Sequence, residues 1–470
     1  GFIAAILSDA GLRVWRNREG SNLMRGIASS LVIRALPNGR LRRSGRAISI
    51  FEVDEAVVPQ AVRSIAPRVA VFTNLFRDQL DRYGEVDSVA TRWQSAIRML
   101  SPDSVLVLNA DDPATAYLGK EFEGSVYYYG IDALSLDISH QPSSANRHQV
   151  IDTRTCPKCG GEYIYDMRFY SHMGHYTCEG CGLTRPQPNV RVVQVEDSGF
   201  DRLRISVATE TGQHDMVIPL PGLYNIYNAL AAITVAQALH IGWEPIVTGI
   251  EQFKPVFGRG ERVQVEGRTV RLLLAKNPTG FNEVLRTLFS SNTRRYVLFV
   301  LNDNIADGRD ISWIWDVDFE RIIGQTDTLV VGGTRSLDLA LRLKYAGVAE
   351  EAMTIVPPNS LRSLRRALEA QERGTASKRG AATSRSAFFP SRKGQGNQEA
   401  TAGGRTALTT TEGERPTRHA GLAEAFDSAI RQTPEGETLF VVPTYTGLLE
   451  IHRLLEQRGL TPHYWEGKDS

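Results

Sequence analysis

The chain has 470 residues, of which 42% are hydrophobic and 23% are charged, and its 54 basic side chains nearly balance 53 acidic ones. One hydrophobic core rarely serves so long a chain, so about two to four domains are expected. The net charge of +1 gives no support to a polyanion binder, and no nucleic-acid partner is predicted. No apolar run approaches the roughly 20 residues that span a bilayer. Since no signal-peptide pattern opens the sequence either, we predict a cytoplasmic protein that is not transmembrane.

The first predicted element is a helix in GFIAAILSDAGL, where Phe2, Ile3, Ile6 and Leu7 recur at helical spacing. The chain begins at Gly1 rather than Met, and no predicted strand precedes this helix. We therefore expect a sequence that is truncated at its N terminus.

Strands and amphipathic helices then alternate, which predicts an α/β fold with a mainly parallel sheet. Apolar runs at 47–56, 68–85 and 104–113 predict strands that end in carboxylate and amide side chains. Open α/β sheets bind ligands at this carboxyl edge, and oxygen ligands beside a nucleotide suit Mg²⁺. Each run alone would more often be a cap or a loop, but three together favour a site. These side chains are Glu52, Asp54, Glu55, Asn74, Asn109, Asp111 and Asp112, and the hydroxyl-bearing Thr73 directly precedes Asn74.

All four cysteines fall in one window, as CPKC and CEGC. Eighteen residues separate the two pairs, which is the spacing of a zinc ribbon. Four thiolates complete a tetrahedral shell, so the predicted Zn²⁺ is structural. The alternative, two disulfides, requires an oxidising compartment. The predicted ligands are Cys156, Cys159, Cys178 and Cys181, in a ribbon inserted at about 150–190.

Aromatic and basic side chains lie between the two cysteine pairs. They could stack nucleotides, but a ribbon has almost no core and uses such residues to cover its metal, which is the interpretation we favour. They are Tyr163, Tyr165, Arg168, Tyr170, His172, His175 and Tyr176.

The C-terminal part contains RRYVLFVLND, TDTLVVGGT and TLFVVPTY, which predict three strands of a second, smaller α/β domain with a Rossmann-like form. A segment at about 373–420 interrupts it and is rich in Gly, Ser, Thr, Ala and Arg. Such a segment cannot bury enough apolar surface to order itself, so a disordered surface insertion is predicted. A regulatory arm that binds an anionic surface is the alternative.

Several motifs occur in the order found in one enzyme family. TNLFRDQLDRYGE, VLNADDP, LPGLYNIYNALAAITVA, FGRGE and LLLAKNPTGFNEVL together resemble the ATP-dependent Mur ligases of peptidoglycan synthesis. FEVDEA, AKNPTGFNEVL and LNDNIADGRDISWIWDVDFE, with the ribbon, are most similar to the MurT family. The resemblance implies a Mur-ligase-like central ATP-binding domain at 1–262, which holds the ribbon, and a MurT C-terminal α/β domain at 263–470.

The resemblance also implies a function in the bacterial cytoplasm. A ligase of this family phosphorylates the α-carboxylate of D-glutamate in the lipid II stem peptide, using ATP and Mg²⁺. Ammonia from a GatD-type glutaminase, its partner in a heterodimer, then converts the acyl phosphate to D-isoglutamine. Lipid II is met at the membrane surface. The alternatives are another Mur or folylpolyglutamate-type amino acid ligase, and a non-catalytic interaction protein.

Residue roles follow from the same resemblance. Glu52 would hold Mg²⁺ at a strand end, with Asn74 beside it near the γ-phosphate, and Asn225 would reach the adenine. Three further residues would close the nucleotide cleft from the C-terminal side. These are Arg259, Lys276 and Asn277.

The cluster DNIADGRDISWIWD could be a set of caps, a metal site or part of an active site, and metal binding is disfavoured because the first domain supplies the better Mg²⁺ ligands. Capping is expected for Asp303, Asp307 and Asp316, at loop and helix starts. For Asp310, the resemblance implies a role across the subunit boundary, in which its carboxylate completes the Cys–His pair of the glutaminase.

The sequence departs from the family at the phosphate-binding loop, because no Gly-Lys pair is followed by Ser or Thr. In the family that loop directly precedes the first helix. We therefore expect this chain as written to bind ATP weakly and not to turn over. Gln79 stands where Mur ligases commonly have His, and no Lys occurs between Asp81 and Lys120 for carbamylation, so a second Mg²⁺ is left unassigned.

Overall fold

The computed structural model describes residues 1–17, 21–41, 45–76, 86–138, 153, 155–197, 202–254, 259–290, 293–359 and 420–461. Three predicted features therefore lie outside the described residues: the insertion at 373–419, the DQLD segment with Gln79, and the side chain of Arg259. The described chain forms two α/β units, each with a six-stranded sheet, and two small two-stranded sheets.

The first unit, up to residue 254, contains ten strands and seven helices in the described chain. The strands are β1 Arg13–Arg16, β2 Ala47–Ile50, β3 Val69–Phe72, β4 Val105–Asn109, β5 Ser125–Ile131, β6 Tyr163–Tyr170, β7 Met173–Cys178, β8 Val190–Asp197, β9 Leu203–Thr209 and β10 Gly212–Ile218. The helices are α1 Phe2–Asp9, α2 Met24–Val32, α3 Val58–Ile65, α4 Val86–Ile97, α5 Pro113–Tyr117, α6 Leu223–Ala238 and α7 Trp243–Glu251.

The central sheet has the order β10-β9-β8-β5-β4-β3. Strands β3, β4, β5 and β8 are parallel, whereas β8, β9 and β10 are antiparallel. Helix α6 is apolar nearly all round and is buried against this sheet, as expected for a helix without a polar face. Helix α1, predicted from its apolar spacing, packs against α6 and α7.

The second unit contains six strands and four helices in the described chain. They are β11 Arg259–Val265, β12 Arg268–Leu273, α8 Pro278–Leu288, β13 Arg295–Val300, β14 Thr326–Gly332, α9 Ser336–Tyr345, β15 Thr354–Ile355, α10 Ala420–Gln432, β16 Thr438–Pro443 and α11 Tyr445–Gln457. The sheet order is β11-β12-β16-β13-β14-β15, and only the pair β11–β12 is antiparallel. Apolar clusters pack on both faces of this sheet. The predicted α/β class with mainly parallel sheets is confirmed.

A cavity of about 770 Å³ separates β2 from the edge of the central sheet. All residues of β2 and of β3 line it. Because successive side chains of a strand point to opposite faces, a cavity that touches all of them runs along the strand edges. Within the described chain, β2 pairs only with β1, and β3 only with β4. This cavity therefore lies between the parallel pair β1–β2 and the central sheet.

In chain order, the hairpin β6–β7 comes between β5 and β8, which are neighbouring strands of the central sheet. Strand β5 precedes it and β8 follows it, and these two strands pair in parallel, with Tyr129 opposite Val190. The hairpin thus leaves the sheet and returns beside its point of departure.

Candidate functional site

The four cysteines form a cluster at the open end of the hairpin. Their Sγ atoms all lie within 4.8 Å of one another. The distance is 3.7 Å from Cys156 to Cys181 and 3.5 Å from Cys159 to Cys178. Four sulfurs at a Zn–S length of about 2.3 Å around a tetrahedral ion lie about 3.8 Å apart, whereas a disulfide needs about 2.05 Å. The donor set thus fits a single metal ion, and the cysteines are free thiols.

Each cysteine pair forms a tight turn that depends on glycine. Gly160 has a φ of 75° and donates its N–H to Cys156 O at 2.8 Å, and Gly182 has a φ of 68° and donates to Cys178 O at 2.9 Å. Residues with a Cβ rarely adopt this left-handed conformation. Burial disfavours the Cys156 thiolate, but backbone N–H groups, first that of Lys158, lower the pKa of this thiol to about 7. The first turn thus favours the Cys156 thiolate, the form that binds metal. The Gly161 N–H favours the Cys159 thiolate, but hydrogen bonds with Cys178 and Cys181 raise the pKa of that thiol to about 12.

The aromatic residues of the hairpin divide between its two ends. Tyr163 and Tyr176 stack edge to face near the cysteines, with ring centroids 5.1 Å apart, as expected for residues that cover a metal. At the other end, Phe169, Tyr170 and Met173 belong to the main core of the first unit. The expectation of a ribbon with almost no core is therefore wrong for its tip, because the tip is inserted into a larger core.

Glu52 and Asn74 follow the two strands on opposite sides of the cavity. Glu52 is exposed, and its main chain is held by the Asn17 amide, which donates to Glu52 O at 2.9 Å and accepts from Glu52 N at 3.0 Å. Asn74 is half-buried at the end of β3. The cavity is lined at this end by their neighbours Phe51, Val53 and Thr73, and by Asn74 itself.

The carboxylates that follow β4 are buried and fully engaged. Asp112 caps α5, where its Oδ1 accepts from Ala114 N at 3.0 Å and its Oδ2 accepts from the Thr115 hydroxyl at 2.9 Å. The same Oδ2 accepts at 2.6 Å from the backbone N–H of Leu75, the residue directly after Asn74. The capping alternative thus holds here, and this cap also fixes the chain that leaves β3.

Asp111 is the centre of a buried polar network. It accepts from Arg185 Nε at 2.6 Å, from the Tyr227 hydroxyl at 2.7 Å and from Ile131 N at 2.9 Å. Burial raises the pKa of this carboxyl, while the Arg185 charge opposes the rise. Asp111 therefore connects β4 to β5, to α6 and to the chain that follows the cysteines.

Asn225 lies in the first turn of α6 and is almost fully buried. Its side-chain amide donates to Pro221 O at 2.6 Å and its Oδ1 accepts from Asn228 at 3.3 Å. The amide thus secures the turn before the helix.

Lys276 and Asn277 stand at the N terminus of α8. Asn277 is the N-cap residue, and its Oδ1 accepts from Gly280 N at 2.7 Å. Lys276 is exposed directly before this cap, and Arg259 is the first residue of β11. The position of α8 therefore decides where Lys276 lies.

Asp310 is exposed on the loop after β13. Its Oδ1 accepts from Ser312 N at 2.8 Å, and hydrogen bonds from the side chain and backbone of Ser312 lower the pKa of this carboxyl. The carboxylate thus binds the first residue of the 3₁₀ turn Ser312–Asp316 and still faces solvent as an anion.

Asp307 holds the same loop from the inside. Its Oδ1 accepts from Thr446 N at 2.8 Å, at the start of α11, and its Oδ2 accepts from Asn304 N at 3.2 Å. Burial raises the pKa of Asp307, whereas that of the exposed Asp310 is lowered. The expected cap at Asp307 is therefore present, and it attaches the Asp310 loop to the second unit.

An apolar surface adjoins the Asp310 loop. On α9, Leu337, Leu341 and Tyr345 are exposed at a spacing of four residues, which places them on one helix face. The 3₁₀ turn after Asp310 packs against α9, and its Trp315 meets Tyr345 with ring centroids 5.6 Å apart. We call Trp315, Leu337, Leu341 and Tyr345 the α9 surface.

Comparison with known proteins identifies the family. The profile described as Mur ligase middle domain matches residues 36–172, and the profile described as MurT ligase C-terminal matches residues 274–379. The MurT subunit of lipid II isoglutaminyl synthase from Staphylococcus aureus is 34% identical over 348 residues, which is 74% of both chains. This chain belongs to the MurT family. The corresponding Streptococcus pneumoniae subunit is 32% identical, also over 74% of both chains.

Solved structures of low identity agree with this chain in fold. A pseudomurein peptide ligase type C from Methanothermus fervidus gives a TM-score of 0.62 at 21% identity, and 97% of this chain and 75% of that chain are covered. MurF from Acinetobacter baumannii gives a TM-score of 0.59 at 15% identity over 97% and 73% of the two chains. The MurT chain thus has the Mur ligase fold, and it is a member of a ligase family. No helix in the described ranges has the length and apolar character needed to traverse a bilayer.

Sequence reasoning missed several polar residues that join distant elements of this chain. Arg185 and Tyr227 bind Asp111, and Arg286 links α8 to the hairpin, although these residues are far apart in sequence. His172 was assigned to metal cover, yet it lies at the far end of the hairpin from the cysteines. No local pattern marks such residues, because their partners are brought in by the fold.

Proposed function

We propose that this chain is the ligase subunit of a lipid II isoglutaminyl synthase. It uses ATP and ammonia to amidate the α-carboxylate of D-glutamate in the lipid II stem peptide at the membrane surface. The observation that carries the proposal is the likeness, over 74% of both chains, to two proteins named as this subunit. The reaction occurs in the bacterial cytoplasm, where ATP and the lipid-linked substrate meet.

The chemistry requires two displacements. A carboxylate oxygen of D-glutamate attacks the γ-phosphorus of ATP, the bond to the β,γ-bridging oxygen breaks, and ADP leaves. Ammonia then attacks the carbonyl carbon of the acyl phosphate, the C–O bond to phosphate breaks, and the nitrogen loses a proton as the amide forms. Both steps depend on positioning and on stabilising the charge of phosphate oxygens.

Glu52 and Asn74 are assigned to this first step. Mg²⁺ prefers carboxylate oxygen and would neutralise the transferring phosphoryl group. The Asn17 amide holds Glu52 by its main chain, which keeps the carboxylate exposed, and Asn74 follows the strand across the cavity. Lys276 and Asn277, at the start of α8, would approach from the second unit, with Arg259, and Asn225 would order the turn nearest the adenine.

The cysteine cluster is assigned to a structural Zn²⁺. Bound zinc would close the open end of the hairpin by joining its two tight turns. The Sγ distances of 3.5 and 3.7 Å support this assignment. Elemental analysis of the purified chain is expected to find one zinc per chain, and Cys178→Ser should lose it. Retention of stoichiometric zinc by that variant would contradict the assignment.

The ammonia would come from a GatD-type glutaminase bound to the second unit. Asp310 would orient and stabilise the imidazolium of the partner's Cys–His pair, the third role in a catalytic triad. The α9 surface supports this placement, because exposed apolar patches beside a charged functional residue are typical of protein interfaces.

The function is tested with the chain, the glutaminase, lipid II, glutamine and Mg-ATP. A second arm uses a chain that carries a Mur-type phosphate-binding loop ahead of Gly1. Mass spectrometry should detect amidated lipid II only when both ATP and glutamine are present. Addition of an amino acid instead of ammonia would favour the amino acid ligase alternative. No product in either arm would reject the proposal.

A further inference from the structure

The tip of the hairpin, residues 169–173, is buried although it is a turn. Hairpin turns usually lie at the surface, where water satisfies their backbone. Here Phe169, Met173 and His172 are fully buried, and Ser171 adopts a left-handed φ of 48° to close the turn. Both units contact this tip.

The first unit contacts the tip through the chain that leaves β3. His172 Nε2 lies 3.5 Å from Asp112 Oδ1, with both side chains fully buried, and the other oxygen of Asp112 holds Leu75 N at 2.6 Å. Phe76 packs against the turn, with its ring centroid 4.9 Å from that of His172 and 5.7 Å from that of Tyr170. The tip therefore supports the segment that directly follows Asn74.

The second unit contacts the tip through α8. Arg286 Nη1 donates to Phe169 O at 2.9 Å, while its Nη2 binds Glu283 at 2.7 Å. Glu283 is buried, so the Arg286 charge is balanced within the contact. The next residue of α8, Thr287, lies close to Gly222 at the start of α6. This edge of α8 therefore faces the first unit.

We propose that the hairpin tip is the docking point that holds α8 in position against the nucleotide edge of the first unit, and that Arg286 is a positioning residue for the ligase reaction. Helix α8 begins at the Asn277 cap, about 14 Å along the helix axis from Arg286. Because a helix is stiff over this length, the contact at Arg286 sets the position of Lys276 and Asn277. The effect on ATP rests on the proposed function, whereas the docking itself does not.

The test compares Arg286→Gln with Arg286→Lys and with Arg458→Gln. Glutamine removes the charge and shortens the donor, whereas lysine retains both a donor and the charge beside Glu283. Arg458, directly after α11, binds Asp427 of α10 at 2.7 Å, so its substitution removes an ion pair elsewhere in the same unit. All three are measured in the full chain bound to its glutaminase, with a Mur-type phosphate-binding loop ahead of Gly1.

Hydrogen exchange should be roughly tenfold faster for the α8 amides in Arg286→Gln, since a charge-assisted hydrogen bond is lost. The KM for ATP should rise by a similar factor with kcat changed less, and Arg286→Lys should restore most of both. Arg458→Gln should leave α8 exchange and the KM for ATP unchanged.

Two results would overturn the proposal. One is unchanged α8 exchange in Arg286→Gln. The other is faster exchange spread through the whole second unit, with lysine no better than glutamine, which would reduce Arg286 to a general stabilising residue. If the unsubstituted complex forms no amidated lipid II, the proposed function fails, and the exchange measurement still decides the docking.

Discussion

Two strand ends of this chain carry clustered aspartates, and the fold uses them in opposite ways. After β4, Asp111 and Asp112 are fully buried, and their side-chain oxygens accept hydrogen bonds from seven groups in the described part of the first unit. After β13, Asp307 is buried as an anchor while Asp310 remains exposed. Burial rather than residue type thus separates aspartates that stabilise this chain from one that is available to a partner.

The largest expected effect is on glutamine hydrolysis and concerns Asp310, the exposed aspartate after β13. Asp310→Asn keeps the size of the side chain but removes the charge proposed to stabilise the partner's imidazolium. Glutamine hydrolysis by the complex should fall by roughly 10⁴-fold, as for loss of a triad aspartate. Glutamate release measures it without ATP, and calorimetry should find the unfolding temperature and the affinity for the glutaminase nearly unchanged. Hydrolysis at the original rate would return Asp310 to a capping role.

The second effect is on the free energy of unfolding and concerns Asp112, a buried aspartate after β4. Asp112→Ala leaves Leu75 N and the start of α5 without an acceptor, so the free energy of unfolding should fall by about 3–5 kcal/mol. Urea unfolding followed by circular dichroism measures this change. The matched control is Asp310→Ala, which should change it by less than about 0.5 kcal/mol. Equal losses of unfolding free energy in both variants would show that the aspartates after β4 and after β13 contribute equally to stability.

A third effect concerns the α9 surface beside Asp310. Leu341→Lys places a charge in the proposed interface and should weaken glutaminase binding by roughly tenfold, equivalent to about 1.4 kcal/mol. Leu134→Lys is the control, because Leu134 is also an exposed leucine but lies in the first unit. Isothermal titration should detect a change only for Leu341. Equal affinities for the two variants would place the interface elsewhere.

The smallest effect is a difference in acid sensitivity. Burial disfavours the charged form of Asp112, but the adjacent His172 and backbone N–H groups together outweigh it and lower the pKa of this carboxyl. A carboxyl with a lowered folded pKa stabilises the protein above its unfolded pKa of about 3.9, and that contribution is lost as pH falls below it. Asp112→Asn should therefore flatten the acid side of the stability profile between about pH 5 and pH 2, measured by urea unfolding. An unchanged slope would show that Asp112 does not titrate with unfolding.

Much of the fold could be predicted, because its signals are local. The α1 helix, the runs at β2, β3 and β4, and the three strands β13, β14 and β16 all occur where apolar spacing placed them. The cysteine cluster follows from two short spacings and from glycines that permit tight turns. The family, confirmed by its relatives, was recognisable from motifs that occur in order.

The roles of individual polar residues were less accessible. The sequence places Asp112 and Asp310 in similar settings, each in a short acidic run after an apolar strand. Only the fold brings His172 and Leu75 to Asp112, from opposite directions in the chain. Likewise Arg286 meets Phe169 across more than a hundred residues of sequence.

The sequence by itself determined the α/β class, the spacing of the cysteines and the family, because each depends on residues close together in the chain. Tertiary structure alone decided which carboxylates are buried, that the hairpin tip is part of the core, and that α8 docks on it. Those properties depend on long-range contacts, whose free energy comes from burial and from hydrogen bonds that no local pattern encodes.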